Sequence, residues 1–374
     1  MTQENTSTLF PTQSDVARRA NVSRGTVSAI LRHSPDNCPF GKDTRQRVMQ
    51  AVRELNYRPH MAAAALRSGR TRSLALVVPY YNAITHVVQA RNFEGAGNRA
   101  QELGYTLSVC TYDESENIRN TFNTLLRESR FDGAIIYGDQ ASQIDAREMA
   151  LIDLNIPHVV LERNSAQSAS VDFDNVVGGR IATEHLLKAG RRRIVFMGFD
   201  AARPFARRYE GYCAALAEYG LQPDPQRVYP LLRQWTDRKR FINFGESGQA
   251  AVEKLLADGV AFDGIVAATD DTAMAAIQHL ARCGRRAPDD VAVIGFDDSP
   301  TARWFVPSLT SMYLDGVTMG RIAIDLLHDL LQGKAMEQPA CRMITPTLVV
   351  RESCGAQAAM PTDQSDALKG PAST

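Results

Sequence analysis

Between residues 74 and 295, short apolar runs alternate with longer amphipathic stretches, and this alternation restricts the fold of the 374-residue chain more than any other property. The apolar runs are 74–78, 105–110, 133–137, 158–161, 193–197, 264–267 and 291–295. Helical stretches lie near 85–103, 116–129, 143–153, 175–189, 204–219, 246–258 and 271–283. Strands kept apart by helices of that length pair in parallel, with the helices as crossovers. There are too many strands for one comfortable sheet, so two α/β lobes are expected, with a ligand-sized cleft between them.

The first 72 residues follow another pattern and carry another charge. They hold 12 Lys and Arg against 5 Asp and Glu, a net of +7, while the remainder holds 30 against 37, a net of −7. A small basic module on a larger acidic body suits a nucleic-acid binder joined to a sensor or an enzyme. Residues 12–58 read as three short helices. Thr12 caps the first, and Asp15 reaches back in a capping box. Val16, Ala17 and Ala20 form its apolar face, and Asn21 makes a tight left-handed turn. Ser23 caps a second helix at 24–31, whose Val27, Ile30 and Leu31 face the first. A third, near 43–55, buries Val48, Val52 and Leu55.

Helix, short turn, helix is a DNA-binding arrangement in which the second helix presents its amino end to base edges. Arg24, Gly25, Ser28 and Ala29 point away from that helix's apolar face. Arg24 is suited to guanine, Gly25 and Ala29 to close approach or a thymine methyl. Thr12 and Ser23, with the helix amides beside them, suit phosphates. Ser14 and Thr26 complete this DNA-facing set.

Several other functions are disfavoured. The scattered cysteines form no C-x-x-C pair, which argues against a zinc ribbon or a disulfide framework and suits a reducing cytoplasm. No apolar run is long enough for a membrane span, and the opening residues lack a signal-peptide pattern. Residues 95–100 spell G-x-G-x-x-A, the dinucleotide fingerprint, but inside a helix rather than at a strand-to-helix turn. No catalytic constellation, metal site or cofactor site is expected. Polar residues do cluster just past strand ends, where open α/β sheets bind ligands: Tyr80 and Tyr81, Thr269 with Asp270 and Asp271, and Asp297 with Asp298. Arg208 stands near a helix start. An arginine and carboxylates among aromatic residues hold polar small molecules, sugars above all.

The stretches Thr12-Gln13-Ser14-Asp15-Val16-Ala17, Ala20-Asn21-Val22-Ser23 and Thr26-Val27-Ser28 resemble the signature of the lactose/galactose repressor family. Residues 44–48 and 55–59 resemble its third helix and the approach to its hinge. The resemblance runs to about Arg351. Val171-Asp172-Phe173-Asp174-Asn175 resembles its V-x-x-D-N segment, Arg208–Gly211 its R-x-x-G, Gly295-Phe296-Asp297-Asp298 its G-[YF]-D-[DN], and Pro307-Ser308-Leu309-Thr310 its P-x-L-T crossover. Three departures stand out: a longer loop at 33–39, Arg32 where asparagine is usual, and a lengthened stretch at 231–247. In that stretch the aromatic that stacks on effector is Trp235, Phe241 or Phe244.

The resemblance implies an N-terminal helix-turn-helix three-helix domain (1–58) and a hinge helix and linker (59–72). It also implies a two-lobed α/β core like the periplasmic binding proteins (73–352), while a tail rich in Ala, Pro, Ser, Thr and Gly and without periodicity (353–374) is expected to be disordered. In the hinge Leu66 is the wedge in the minor groove, flanked by Ala63 and Arg67. Effector residues are Tyr80, Tyr81, Arg208, Thr269 and Asp297. The expected protein is a cytoplasmic homodimeric repressor with two partners, a near-palindromic double-stranded operator and a small-molecule effector, and with no membrane association. A solute-binding protein and a DNA-tethered enzyme are the competing readings.

Overall fold

The computed structural model describes residues 11–32, 37–57, 70–79, 86–112, 118–128, 131–137, 141–199, 203–231, 233–236, 239–242, 244–334 and 340–355. The chain divides into two compact units, Met1–Arg72 and Ser73–Thr374.

In the first unit α1 (Gln13–Ala20), α2 (Arg24–Arg32) and α3 (Lys42–Glu54) enclose a small core. Their limits lie within one residue of expectation, and side-chain caps set the starts of α1 and α2. The Thr12 amide donates to Asp15 Oδ2 at 2.8 Å, and the Asp15 amide returns a bond to Thr12 Oγ1 at 3.4 Å. Asn21 ends α1 in the left-handed region at φ 52°, and the Thr26 amide donates to Ser23 Oγ at 3.0 Å. The core comprises Val16, Ala17, Ala20, Val27, Ile30, Val48, Ala51 and Tyr57. Val52 and Leu55, expected to be buried, pack against it only in part.

The second unit begins β1 (Ser73–Pro79), α4 (Val87–Glu102), β2 (Thr106–Tyr112) and α5 (Ile118–Phe122), which widens into a π-helical turn at Asn123–Glu128. Next come β3 (Gly133–Tyr137), α6 (Ala141–Asp153), β4 (His158–Leu161), β5 (Ala169–Phe173), α7 (Asn175–Lys188), β6 (Ile194–Phe199), α8 (Arg203–Glu218) and β7 (Val228–Pro230). A hairpin, β8 (Arg233–Thr236) with β9 (Lys239–Ile242), precedes α9 (Phe244–Ala257), β10 (Gly264–Ala267), α10 (Asp270–Arg282), β11 (Ala292–Asp297), α11 (Pro300–Trp304) and β12 (Thr310–Tyr313). The last elements are α12 (Gly316–Leu331), β13 (Cys341–Ile344) and β14 (Thr347–Val349).

These strands form two six-stranded sheets, ordered β13-β5-β4-β3-β1-β2 and β14-β12-β11-β10-β6-β7. The first is parallel throughout, and in the second only β14 runs antiparallel. Each sheet centres one lobe and is apolar on both faces, as parallel sheets covered by helices must be. The chain passes between lobes after β5, after β12 and after β13. The P-x-L-T segment therefore leads into β12, a strand of the second lobe, and the crossing follows at Leu314 and Asp315. Among the described residues, no helix is long and apolar enough to cross a membrane.

Glycines let the helices of each lobe pack in close pairs. A Cβ on Gly95 would lie 2.0 Å from the Val317 carbonyl oxygen, and one on Gly320 would lie 2.1 Å from that of Asn92, so α4 and α12 touch backbone to backbone. The G-x-G-x-x-A stretch is thus a helix-packing face. Gly179 and Gly211 do the same for α7 and α8.

The boundary expected at residue 353 lies too early. Glu352–Cys354 form a short 3-10 turn, and the buried Ser353 hydroxyl donates to the Val293 carbonyl at 2.7 Å. It also accepts from the Thr310 amide at 2.9 Å. Two neighbouring strands need that hydroxyl, which composition does not reveal. Residues 356–374 lie outside the described residues.

Candidate ligand cleft and nucleic-acid interface

At the start of α2, Ser23, Arg24 and Gly25 are exposed, directly after the cap. A Cβ on Gly25 would meet only Ser23 Oγ, at 3.6 Å, an ordinary contact. Packing does not require glycine there, so the bare surface suits close approach by another molecule. Thr12 is exposed, while Ser14, Thr26 and Ala29 are half-buried. Ser28 departs from expectation, being only 7 % exposed. On a helix, position 28 lies beside 27 and 31, so it falls on the margin of the buried stripe rather than opposite it. Its side chain is therefore largely buried rather than pointing away from the apolar face. Ala63, Leu66 and Arg67, expected in the hinge, lie outside the described residues, as do Tyr80 and Tyr81.

In the core, Arg208 rises from α8 and is 5 % exposed. Its Nε donates to Asn175 Oδ1 at 2.8 Å, and its Nη1 donates to the Ala268 carbonyl. The guanidinium lies over Phe296 at 4.4 Å and Phe205 at 5.6 Å. Gly179 holds this arrangement, because a Cβ there would stand 2.0 Å from the Arg208 carbonyl oxygen. Burial pushes the guanidinium below its ordinary range, opposed by the charges of Asp297, Glu162, Asp270 and Asp172.

Asp297 closes β11, is buried, and has φ 104°, followed by Asp298 at φ 47°. Two successive non-glycine residues in that region mark a strained turn. His86 Nε2 approaches Asp297 Oδ2 at 3.4 Å. Burial alone would depress the imidazole, but the charge and hydrogen bond of Asp297, with the charge of Glu162, raise it to about 9. Thr269 is buried as the cap of α10, accepting from the Thr272 amide at 3.2 Å. That leaves Asp270 for another task. It accepts from the Ser299 amide at 2.6 Å and from the Ser311 hydroxyl, and burial with the nearby Asp297 charge pushes it up.

A cavity of 310 Å³ opens at the first crossing between lobes. Its wall comprises Glu162, Asn164, Asp172, Phe173, Asp174, Asn175, Pro204, Arg207 and Met343. Asn175, the partner of Arg208, belongs to this wall, whereas Arg208, Thr269 and Asp297 stand outside it. Glu162 was not anticipated. It follows an apolar run directly, and the strand-end rule that marks Asp297 would have marked it. Gln89 Nε2 and Asn92 Nδ2 donate to Glu162 Oε1 at 3.2 and 3.3 Å. Tyr137 is pushed up by burial and by the Glu162 charge. Of the candidate aromatics, Trp235 and Phe241 lie on the hairpin. The Phe244 ring is centred 6.2 Å from His86 and 6.2 Å from Phe205.

Residues 12–60 match the family described as bacterial regulatory proteins, lacI family, and residues 183–354 match the periplasmic binding protein-like domain. The regulator RegA of Clostridium saccharobutylicum is 30 % identical over 91 % of this chain and 98 % of its own. A solved complex of the transcriptional regulator CelR with cellobiose is 31 % identical, with a TM-score of 0.67, covering 92 % of this chain and 99 % of that one. The lac repressor dimer, solved on operator with an anti-inducer, shares the fold at a TM-score of 0.77 and 24 % identity, covering 93 % of this chain and 100 % of that one.

Proposed function

Because the chain belongs to the lacI family of bacterial regulatory proteins, we propose that it is a cytoplasmic transcriptional repressor whose hold on operator DNA is set by a sugar-class effector. It is a regulator rather than an enzyme. The observation that carries the reading is the amino end of α2. A capped helix there leaves Arg24 and Gly25 bare, on a unit with a net charge of +7.

Arg24 reads a guanine edge, Gly25 and Ala29 allow close approach, and Thr12, Ser14, Ser23 and Thr26 position the unit on phosphates. Ala63, Leu66 and Arg67 form the minor-groove contacts of a hinge that becomes helical on DNA. The protein acts as a homodimer on a near-palindromic site. Effector binds in the core, against Arg208, Asp297 and Thr269, with Tyr80 and Tyr81 at the strand end of the other lobe. The cellobiose held by CelR supports a sugar in this role.

Footprinting on the regions flanking the gene, with salt titration, tests the reading. A protected, near-symmetric site is expected, with log K falling by about 0.9 per log unit of salt for each neutralised phosphate. Binding that ignores salt, or a monomer at concentrations that saturate the site, overturns it. Arg208→Ala with Asp297→Ala should keep operator binding and lose the effector response.

A further inference from the structure

We infer that Asp270 and Ser311 are positioning residues: they hold the turn at 297–299 and so fix where the Asp297 carboxylate stands. The inference rests on the reading of Asp297 as an effector residue and deepens it.

The turn needs support from outside itself. Asp297 and Asp298 have φ of 104° and 47°, a conformation that side-chain-bearing residues keep only where their surroundings impose it. One small network does so. The Ser299 amide donates to Asp270 Oδ2 at 2.6 Å, and the Asp298 amide donates to Ser311 Oγ at 3.0 Å. The Ser311 hydroxyl accepts that proton and gives its own to Asp270 Oδ1. A single carboxylate thus anchors two successive amides, one directly and one through the serine. Its parts come from three elements: Asp270 begins α10, Ser311 lies in β12, and the turn ends β11.

The surroundings of Asp270 fit this task. An aspartate at a helix start ordinarily serves as the cap, but Thr269 already caps α10. Asp270 and Ser311 are 1 % and 0 % exposed, so water cannot take over either bond if a partner is removed. Gly295, two residues before Asp297, leaves room for the carboxyl group, since a Cβ there would lie 2.4 Å from Asp270 Oδ1.

His86 of the first lobe gives a way to see the result. Its Nε2 stands 3.4 Å from Asp297 Oδ2. The charges that act on the imidazole are those of Asp297, Glu162, Arg208 and Asp271. A change at Asp270 therefore reaches His86 through the place of Asp297.

NMR titration of the histidine rings in the full-length protein, without added ligand, tests the inference. The His86 signal is the one that His86→Gln removes. In Asp270→Ala and in Ser311→Ala the His86 midpoint should fall by about one pH unit or more, because its carboxylate partner has moved. Asp270→Asn keeps an oxygen for the Ser299 amide and should restore the midpoint. A fold that is merely weakened melts earlier without moving the titration. Should Asp270→Ala fail to fold, Ser311→Ala decides. A wild-type midpoint in the alanine variants overturns the inference. So does Asp270→Asn behaving like Asp270→Ala, which would make charge the source of the effect. Calorimetry with neutral mono- and disaccharides, read together with operator affinity, tests the reading beneath. A sugar that binds wild type and shifts operator affinity should bind Asp270→Ala about tenfold more weakly or worse. Equal binding overturns the role of Asp270 at the site. If no sugar changes operator affinity while the His86 midpoints move as expected, the effector reading fails and the positioning of Asp297 stands.

Discussion

The Arg91 guanidinium donates to the carbonyl oxygens of Asp297 and Asp298, both at 2.6 Å, fastening α4 of the first lobe to the end of β11 in the second. It also lies over the Tyr313 ring at 5.0 Å, where the chain leaves β12 to cross back. The bonds fall on the two residues with φ of 104° and 47°, where strain costs on the order of 1–3 kcal/mol per residue. Arg351 closes the other side through Asp298 Oδ1 at 2.7 Å.

Arg91→Lys keeps the charge and loses the fork. Charged hydrogen bonds contribute about 1.5–3 kcal/mol, so the variant should lose about that much core stability. The amides of 297–299 should exchange at least tenfold faster. Exchange equal to wild type would show that the turn holds itself.

The contact between His86 and Asp297 predicts a pH dependence. The imidazole is raised from 6.5 to about 9, so its contribution is complete below about pH 6.5 and fades as pH rises through 9. The groups that act on it are Asp297, Glu162, Arg208 and Asp271. The core of wild type should therefore lose melting temperature between pH 7 and 9.5 more steeply than His86→Gln does. Parallel curves would remove His86 from the account.

Gly179→Ala puts a methyl where only 2.0 Å separates the Cβ position from the Arg208 carbonyl oxygen. Helix α8 must move away from α7, at a cost of about 1–3 kcal/mol or more for overpacking. Arg208 moves with it. Effector response should fall more than operator binding does, as measured by DNA binding with and without the sugar found by calorimetry. An equal loss in both would point to a general folding defect.

At the other unit, Arg24→Ala should cost about 1–3 kcal/mol on the preferred site and reduce the penalty for changing the base pair it reads. A uniform loss on every sequence would make Arg24 a phosphate contact. Ser23→Ala should instead cost about 1 kcal/mol of stability through the lost cap.

The elements with strong local signals were legible in the sequence. β3, β4 and β10 match their apolar runs residue for residue, because a strand buried on both faces is continuously apolar. α12 escaped notice although it packs as closely as any helix, since it lies beyond the last apolar run that set the rhythm. β13 is half exposed and β14 pairs antiparallel at an edge, so neither shows an apolar run. Among the candidate residues, Asp297 and Thr269 were marked by their places at a strand end and a helix cap and Arg208 by its place near a helix start, and the structure buries all three. Arg91 and Asn92 carried no such mark. They lie one after the other inside α4, and their contacts become visible only once Asp297 and Glu162, 206 and 70 residues away, have been brought beside them.

The three passages of the chain between lobes bear on how the molecule is made. β13, residues 341–344, completes the first lobe's sheet beside β5, and β14 completes the second beside β12. A ribosome releases the chain from its amino end, so the first lobe waits for its last strand until nearly all of the second has been synthesised. Premature termination just before residue 341 therefore leaves β5 and β12 as unpaired strand edges, templates for pairing with other chains. Protease cleavage at one crossing has the opposite character, since the two remaining crossings still tether the lobes.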